Sequence, residues 1–561
     1  MKRLWFTLAL LIGSLTACRD AFDIDLSERP ITPGKADFTT YVALGASLTA
    51  GYQDGALYRS GQQNSYPAII AEQMTAAGRK GLFKQPIVDS EEGGIVVSLD
   101  QIAAKPDLLP PSVVRKIKEF AGTSLLPSFI SEMLKKPEIA IKLLADLLST
   151  YRLRIFDDLF LPKYVLTQSE DGRLLPQRLP GPGRIIIENI YKSQGPFNNM
   201  SVPSLKSYGF TEKGHIDITR PYFSRMASAS DASILGDALK QNPSFFSLCS
   251  DNDVFLYAVD GGIAVDGVAV YRKGDADVAS YDVHDITDPD VYERSINEIL
   301  KQLTDAGAKG VVLNVPDVTR IPYFHVIKWN GLELTAAQAQ AANASQALQS
   351  YNHKLDVLQA AGEIDDAQLR HVAFRAGHNP YLIEDADLKN IHFETEIPTG
   401  SGKDPIPIDL SQVRPAQASD LLTLKAAEAL RGLASWNGGH LPALFVLANQ
   451  FVLTKAERKN VEDATKRYND AIRSLADQYG LALADIHALL SRAVKYGITA
   501  AGNTYTSEFI SDNSIFSLDG IHCNSRGYAI MANEVIKAIN ATYGSNIALV
   551  NPNDYPGIAF P

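Results

Sequence analysis

Apolar runs of strand length alternate along the chain with amphipathic stretches of helical period. Phe38 to Leu44 is a β-rich apolar run that stops at Gly45, the pattern of a core strand ending in a turn. Asp288-Pro289 supplies an N-cap and N1 pair, Ile296, Ile299, Leu300 and Leu303 fall on one helical face, and Gly307 stands where a C′ glycine belongs. Gly310 to Val315 then reads as a buried strand. The unit recurs near the C-terminus. Thr454 with Glu457 makes a capping box, Val461, Ala464, Tyr468, Ile472, Leu475 and Tyr479 form a stripe, and Gly480 leads into a strand over Leu481 to Ile486. A last helix is predicted after His522, with Tyr528, Met531, Val535 and Ile539 on one face. Helices alternating with strands that are apolar on both faces predict an α/β fold around a parallel sheet.

Two segments depart from this pattern. Residues 95–190 contain the helical run Phe129 to Leu148, broken by Pro137, whose apolar stripe fits packing on the sheet or a lid over a cleft. Residues 325–450 open with an Ala/Gln-rich helix started by Thr335 and Gln338 and continue with little periodicity. Both read as insertions in one domain spanning 38–561.

With 45% hydrophobic residues over 561 positions, the chain has material for a large core. A net charge of −11 argues against binding nucleic acid or an anionic membrane surface through general electrostatics. The N-terminus reads as an export signal over residues 1–17: Lys2 and Arg3 precede an apolar run, Leu4 to Ala17, that is too short to span a bilayer. Leu15-Thr16-Ala17-Cys18 resembles the lipobox of bacterial lipoproteins, which implies Cys18 as the lipidated anchor; an ordinary signal peptide with an incidental cysteine is the alternative. Residues 18–37 then form a tether. No Cys/His spacing points to a metal, and no cofactor is expected.

Ser47 follows the first predicted strand in a glycine-flanked turn. There a hydroxyl is exposed at the strand's carboxyl end and turn amides can meet a developing oxyanion, although a serine in this place can also simply cap the next helix. Far away, Asp519 precedes His522 by three residues, a spacing that lets the carboxylate hold one imidazole nitrogen while the other accepts a proton from a serine. Alone, that segment would be an Asp-Gly turn with a surface histidine. The pair of segments favours a serine hydrolase.

Gly45-Ala46-Ser47-Leu48 and Asp519-x-x-His522 resemble the first and last blocks of the SGNH, or GDSL-type, hydrolase superfamily. Asp251-Asn252-Asp253 resembles its Gly-x-Asn-Asp block, and Asn198 to Ser204 the block that carries the oxyanion glycine, with Ser204 in the glycine's place. Gly61-Gln62, Ser65-Tyr66-Pro67, Val315 to Val318 and Asn551 to Pro556 are similar in wording to large SGNH lipoproteins of Bacteroidetes-type bacteria. The resemblance implies a three-layer α/β/α sandwich of flavodoxin-like strand order. It implies Ser47 as nucleophile, His522 as general acid/base and Asp519 as its orienter, with an oxyanion hole of the Ser47 and Ser204 amides and the Asn252 side chain. Ser204 and Ser250 replace glycines, which would strain any site with positive φ. By placing Cys249 and Cys523 at one cleft, the resemblance also leaves open a disulfide between them, beside the commoner outcome of free thiols. The expected activity is hydrolysis of acyl esters, of a small molecule, lipid or acylated glycan, by a protein lipid-anchored to the outer membrane. A degenerate scaffold that binds glycan or lipid, and an acyltransferase with the same triad, are the alternatives.

Overall fold

The computed structural model describes residues 30–96, 161–169, 172–181, 184–186, 188–214, 221–264, 267–397, 406–436 and 443–561. Cys18, the leader before it and the Phe129 to Leu148 run lie outside them. In chain order, the elements that position the site are β1 (Tyr41–Gly45), α1 (Ser47–Ala50), α2 (Tyr66–Ala76), β2 (Phe245–Cys249), α3 (Asn252–Val259), α4 (Pro289–Asp305), β3 (Lys309–Leu313), α5 (Leu424–Trp436), α6 (Lys455–Tyr479), β4 (Ala482–Ala484) and α7 (Ser525–Tyr543).

The four strands form one parallel sheet in the order β1-β2-β3-β4, with Gly45 opposite Cys249 and Cys249 opposite Leu313. β1 and β2 are buried at every position, so neither shows the alternation of a strand with one face in water. The three long helices lie where their caps and stripes place them. Asp288 accepts the amides of Asp290 and Val291, Thr454 and Glu457 close a reciprocal capping box, and Gly480 ends α6 in the left-handed conformation. α2 packs on α7, and α7 on β3 and β4; a second group brings α3 and α4 onto α6, which reaches the same two strands. This is a mixed α/β core compatible with a sandwich.

The strand ends differ from the sequence expectation for local reasons. β1 begins at Tyr41 because the Asp37 carboxylate accepts the Thr39 amide at 2.8 Å and turns the chain first. β4 stops at Ala484 because Asp485 caps a following helix. β3 stops at Leu313 because the chain leaves the sheet after Asn314: the Asn314 amide makes a last bond to the Ala484 carbonyl at 3.3 Å, and the Val315 amide donates to the Asn469 side chain at 2.7 Å.

A further extended segment borders β1. Ala43 donates to the Asn198 carbonyl at 2.8 Å, Met200 to Ala43 at 2.8 Å and Val202 to Gly45 at 3.0 Å, so residues 198–202 run parallel along the strand's other edge. The 325–450 segment does more than decorate the core. Leu332, Tyr351, Ile383, Val413 and Leu447 are buried in a second hydrophobic cluster of its own.

Candidate active site

Three chain segments arrive at the carboxyl end of the sheet, where open α/β sheets place their ligands. β1 ends at Gly45, where a Cβ would collide with the Thr49 hydroxyl and the Cys249 carbonyl, so only glycine lets the chain turn this closely into α1. Ser47 is the first residue of α1, and its amide belongs to the helical first turn, which has no intrahelical acceptor. β2 leads through Ser250 and Asp251 into α3, whose first residue is Asn252. The bordering segment 198–202 delivers Ser204.

The loop before α7 supplies the remaining groups. The Ser47 hydroxyl donates to His522 Nε2 at 2.9 Å, and His522 Nδ1 donates to Asp519 Oδ2 at 2.9 Å. These partners assign the tautomer, with Nδ1 protonated and Nε2 the acceptor. Asp519 is fixed from all sides: Oδ1 accepts the Ile521 and His522 amides at 2.8 and 2.9 Å and the Ser517 hydroxyl at 2.9 Å, and Oδ2 also accepts the Gly55 amide at 2.8 Å. Burial would raise this carboxyl, but the facing His522 and these hydrogen bonds outweigh it and hold the group below its usual range. Gly520, at φ +70°, makes the turn that lets Asp519 and His522 face each other, and its carbonyl accepts the Tyr323 amide at 2.9 Å. The Tyr52 ring packs 4.8 Å from the imidazole centroid.

Asn252 is 3% exposed, and its Nδ2 is buried without a hydrogen-bond partner. Ser47, Ser204, Asn252 and His522 all line one cavity of about 220 Å³. A buried amide donor without an acceptor, on the wall of the cavity that holds the serine, is suited to receive a charge that forms there. Ser204 stands at φ +65°, the left-handed conformation that favours glycine; Ser250 has no positive φ, so a serine there carries no strain of this kind.

Two groups escaped the sequence reading. Asp253 was read only as part of a block, yet it accepts the Ser207 amide at 2.9 Å and the Ser207 hydroxyl at 2.8 Å, tying the loop of Ser204 to the first turn of α3. His284, from a segment without any motif, lines the same cavity, with Nδ1 on Asp282 at 2.9 Å and Nε2 on Asp260 at 3.3 Å. Burial lowers its affinity for a proton, but the two carboxylates prevail and push it up to about 9. No local pattern marks either role; both depend on contacts distant in sequence.

The disulfide considered between Cys249 and Cys523 does not form: both are free thiols. Burial raises both, Cys523 to about 12, so both stay protonated thiols at neutral pH. Among the described residues, no three His, Cys, Asp or Glu side chains gather as a metal-holding group, and no helix is long and apolar enough to cross a membrane. Comparisons with protein-family models, with curated proteins and with solved structures found no match to this chain.

Proposed function

We propose that the protein is a serine esterase of the SGNH type that cleaves acyl esters through an acyl-Ser47 intermediate. The observation that carries this reading is the continuous relay from the Ser47 hydroxyl through His522 to Asp519, beside an Asn252 amide that has no other partner. The strand order supports it as well: with residues 198–202 taken as the edge beyond β1, the core follows the flavodoxin-like sequence.

His522 Nε2 takes the Ser47 proton as Oγ attacks the ester carbonyl. The resulting oxyanion is met by the amides of Ser47 and Ser204 and by Asn252 Nδ2. The tetrahedral adduct collapses as His522 returns the proton to the leaving alcohol, and Asp519 stabilises the imidazolium throughout. Water, deprotonated by the same nitrogen, then releases the carboxylic acid and restores Ser47. The left-handed backbone at Ser204 retains the conformation a glycine would have there, so the replacement does not by itself dismantle the site.

The test is turnover of p-nitrophenyl esters together with fluorophosphonate labelling read by intact mass, on the wild type and Ser47→Ala. Both signals should vanish in the variant. A folded wild type that neither labels nor turns over leaves the binding scaffold as the better reading. Anchoring through Cys18 belongs to the same proposal and rests on the leader sequence; retained membrane association in Cys18→Ser would sink it.

A further inference from the structure

We propose that the acyl part of the substrate is a hydrocarbon chain of about six carbons or more, held between the two inserted segments; this rests on the hydrolase reading above. The cavity that begins at Ser47 is about 220 Å³. It exceeds the roughly 150 Å³ apolar cavity that holds a benzene-sized ligand, and an acetyl group would leave most of it empty.

Its wall is apolar and comes from separate parts of the chain. Leu175 projects from the hairpin Tyr164–Gln168/Leu174–Arg178, Phe255 and Leu256 from α3, and Leu424 and Ala427 from one face of α5. That face turns exposed and charged at Glu428 and Arg431, where the cavity meets water. Other charged groups on the wall are already engaged: both His284 nitrogens are on carboxylates, Lys425 Nζ lies 3.3 Å from Asp260, and Arg178 donates to the Gly55 and Pro162 carbonyls. An acyl group bearing hydroxyls would find few free partners there, whereas methylenes find a wall that gains by being covered.

Each methylene buried on this wall should raise kcat/KM by roughly four-fold. The experiment compares p-nitrophenyl acetate, butyrate and octanoate on the full mature chain and on Ala427→Trp, which places an indole in the cavity. Calorimetry with octanoate and acetate as free acids reads binding without chemistry. Fluorophosphonate labelling of Ser47 verifies that the variant is folded at the site. We expect octanoate to exceed acetate by roughly 100-fold or more in kcat/KM, that ratio to fall at least ten-fold in Ala427→Trp, and octanoate alone to bind. Ester turnover with acetate preferred, or with a ratio indifferent to Ala427→Trp, overturns the acyl site and leaves the hydrolase standing. Octanoate binding lost in Ala427→Trp, with no turnover of any ester, overturns the hydrolase and keeps the acyl site.

Discussion

Truncating Asn252 separates catalysis from stability, because the group removed has no bond in the resting protein. Asn252 Nδ2 is buried and unpartnered, so Asn252→Ala deletes no hydrogen bond from the folded state. It instead removes a desolvated donor whose burial costs about 1–3 kcal/mol, offset by the small cavity left behind. Stability should therefore stay level or rise slightly. In the transition state of the proposed ester cleavage the same donor faces a full oxyanion, and losing one such contact costs about 3–4 kcal/mol of barrier, two to three decades in kcat. The ground-state carbonyl carries little of that charge, so KM should change by no more than about three-fold. Steady-state kinetics on a p-nitrophenyl ester, with thermal melts of both proteins, reads all three quantities. A kcat within three-fold of wild type refutes the oxyanion role. A large loss of kcat with a clearly lowered Tm refutes the view that this amide is idle in the resting state.

The remaining predictions follow from backbone conformation and charge. Ser204→Gly relieves a left-handed serine worth about 1–2 kcal/mol against about 0.5–1 kcal/mol of added unfolded-state entropy, so its Tm should rise slightly with activity retained; a lower Tm contradicts this. Gly520→Ala puts a Cβ 3.1 Å from the Tyr323 amide at φ +70°, and should cost about 1–2 kcal/mol and misalign Asp519 with His522, seen as a fall in kcat; wild-type kinetics would show that the turn is not needed. His284 is raised from 6.5 to about 9 between Asp260 and Asp282, so its contribution is complete below pH 6.5 and is lost as pH rises through about 9. That contribution is on the order of 3 kcal/mol. Raising the pH from 6 to 9.5 should therefore lower the urea midpoint more in the wild type than in His284→Gln, and an equal pH slope in both proteins would exclude this source.

The parts of the molecule legible in its sequence are those whose determinants lie close together along the chain. α4 and α6 could be read because Asp288 and Thr454 with Glu457 cap them locally, and all of α4, α6 and α7 because residues three and four apart share a buried face. The fully buried strand β1 could be read as a short apolar run for the same reason. The edge pairing of residues 198–202 escaped because Asn198 and Asn199 look like loop residues; their backbone pairs with β1, and the Asn199 amide is satisfied by the Thr49 carbonyl and the Gln85 side chain, contacts made by distant segments. The second core escaped likewise, since Leu332, Tyr351, Val413 and Leu447 come from pieces too short to show a period. Two serines sharpen the distinction. Ser204 and Ser250, both placed opposite glycines by the SGNH resemblance, differ in backbone, because φ at each is set by what the neighbouring backbone must reach: at 204 the chain turns away from the edge of β1, and at 250 it runs on from β2 toward α3. The Ser47, His522 and Asp519 relay lies between these cases. Each member stands in a locally recognisable turn, but their meeting depends on Gly55, Ser517 and the parallel sheet between them, so the sequence offers the candidates and only the fold gives them a shared geometry.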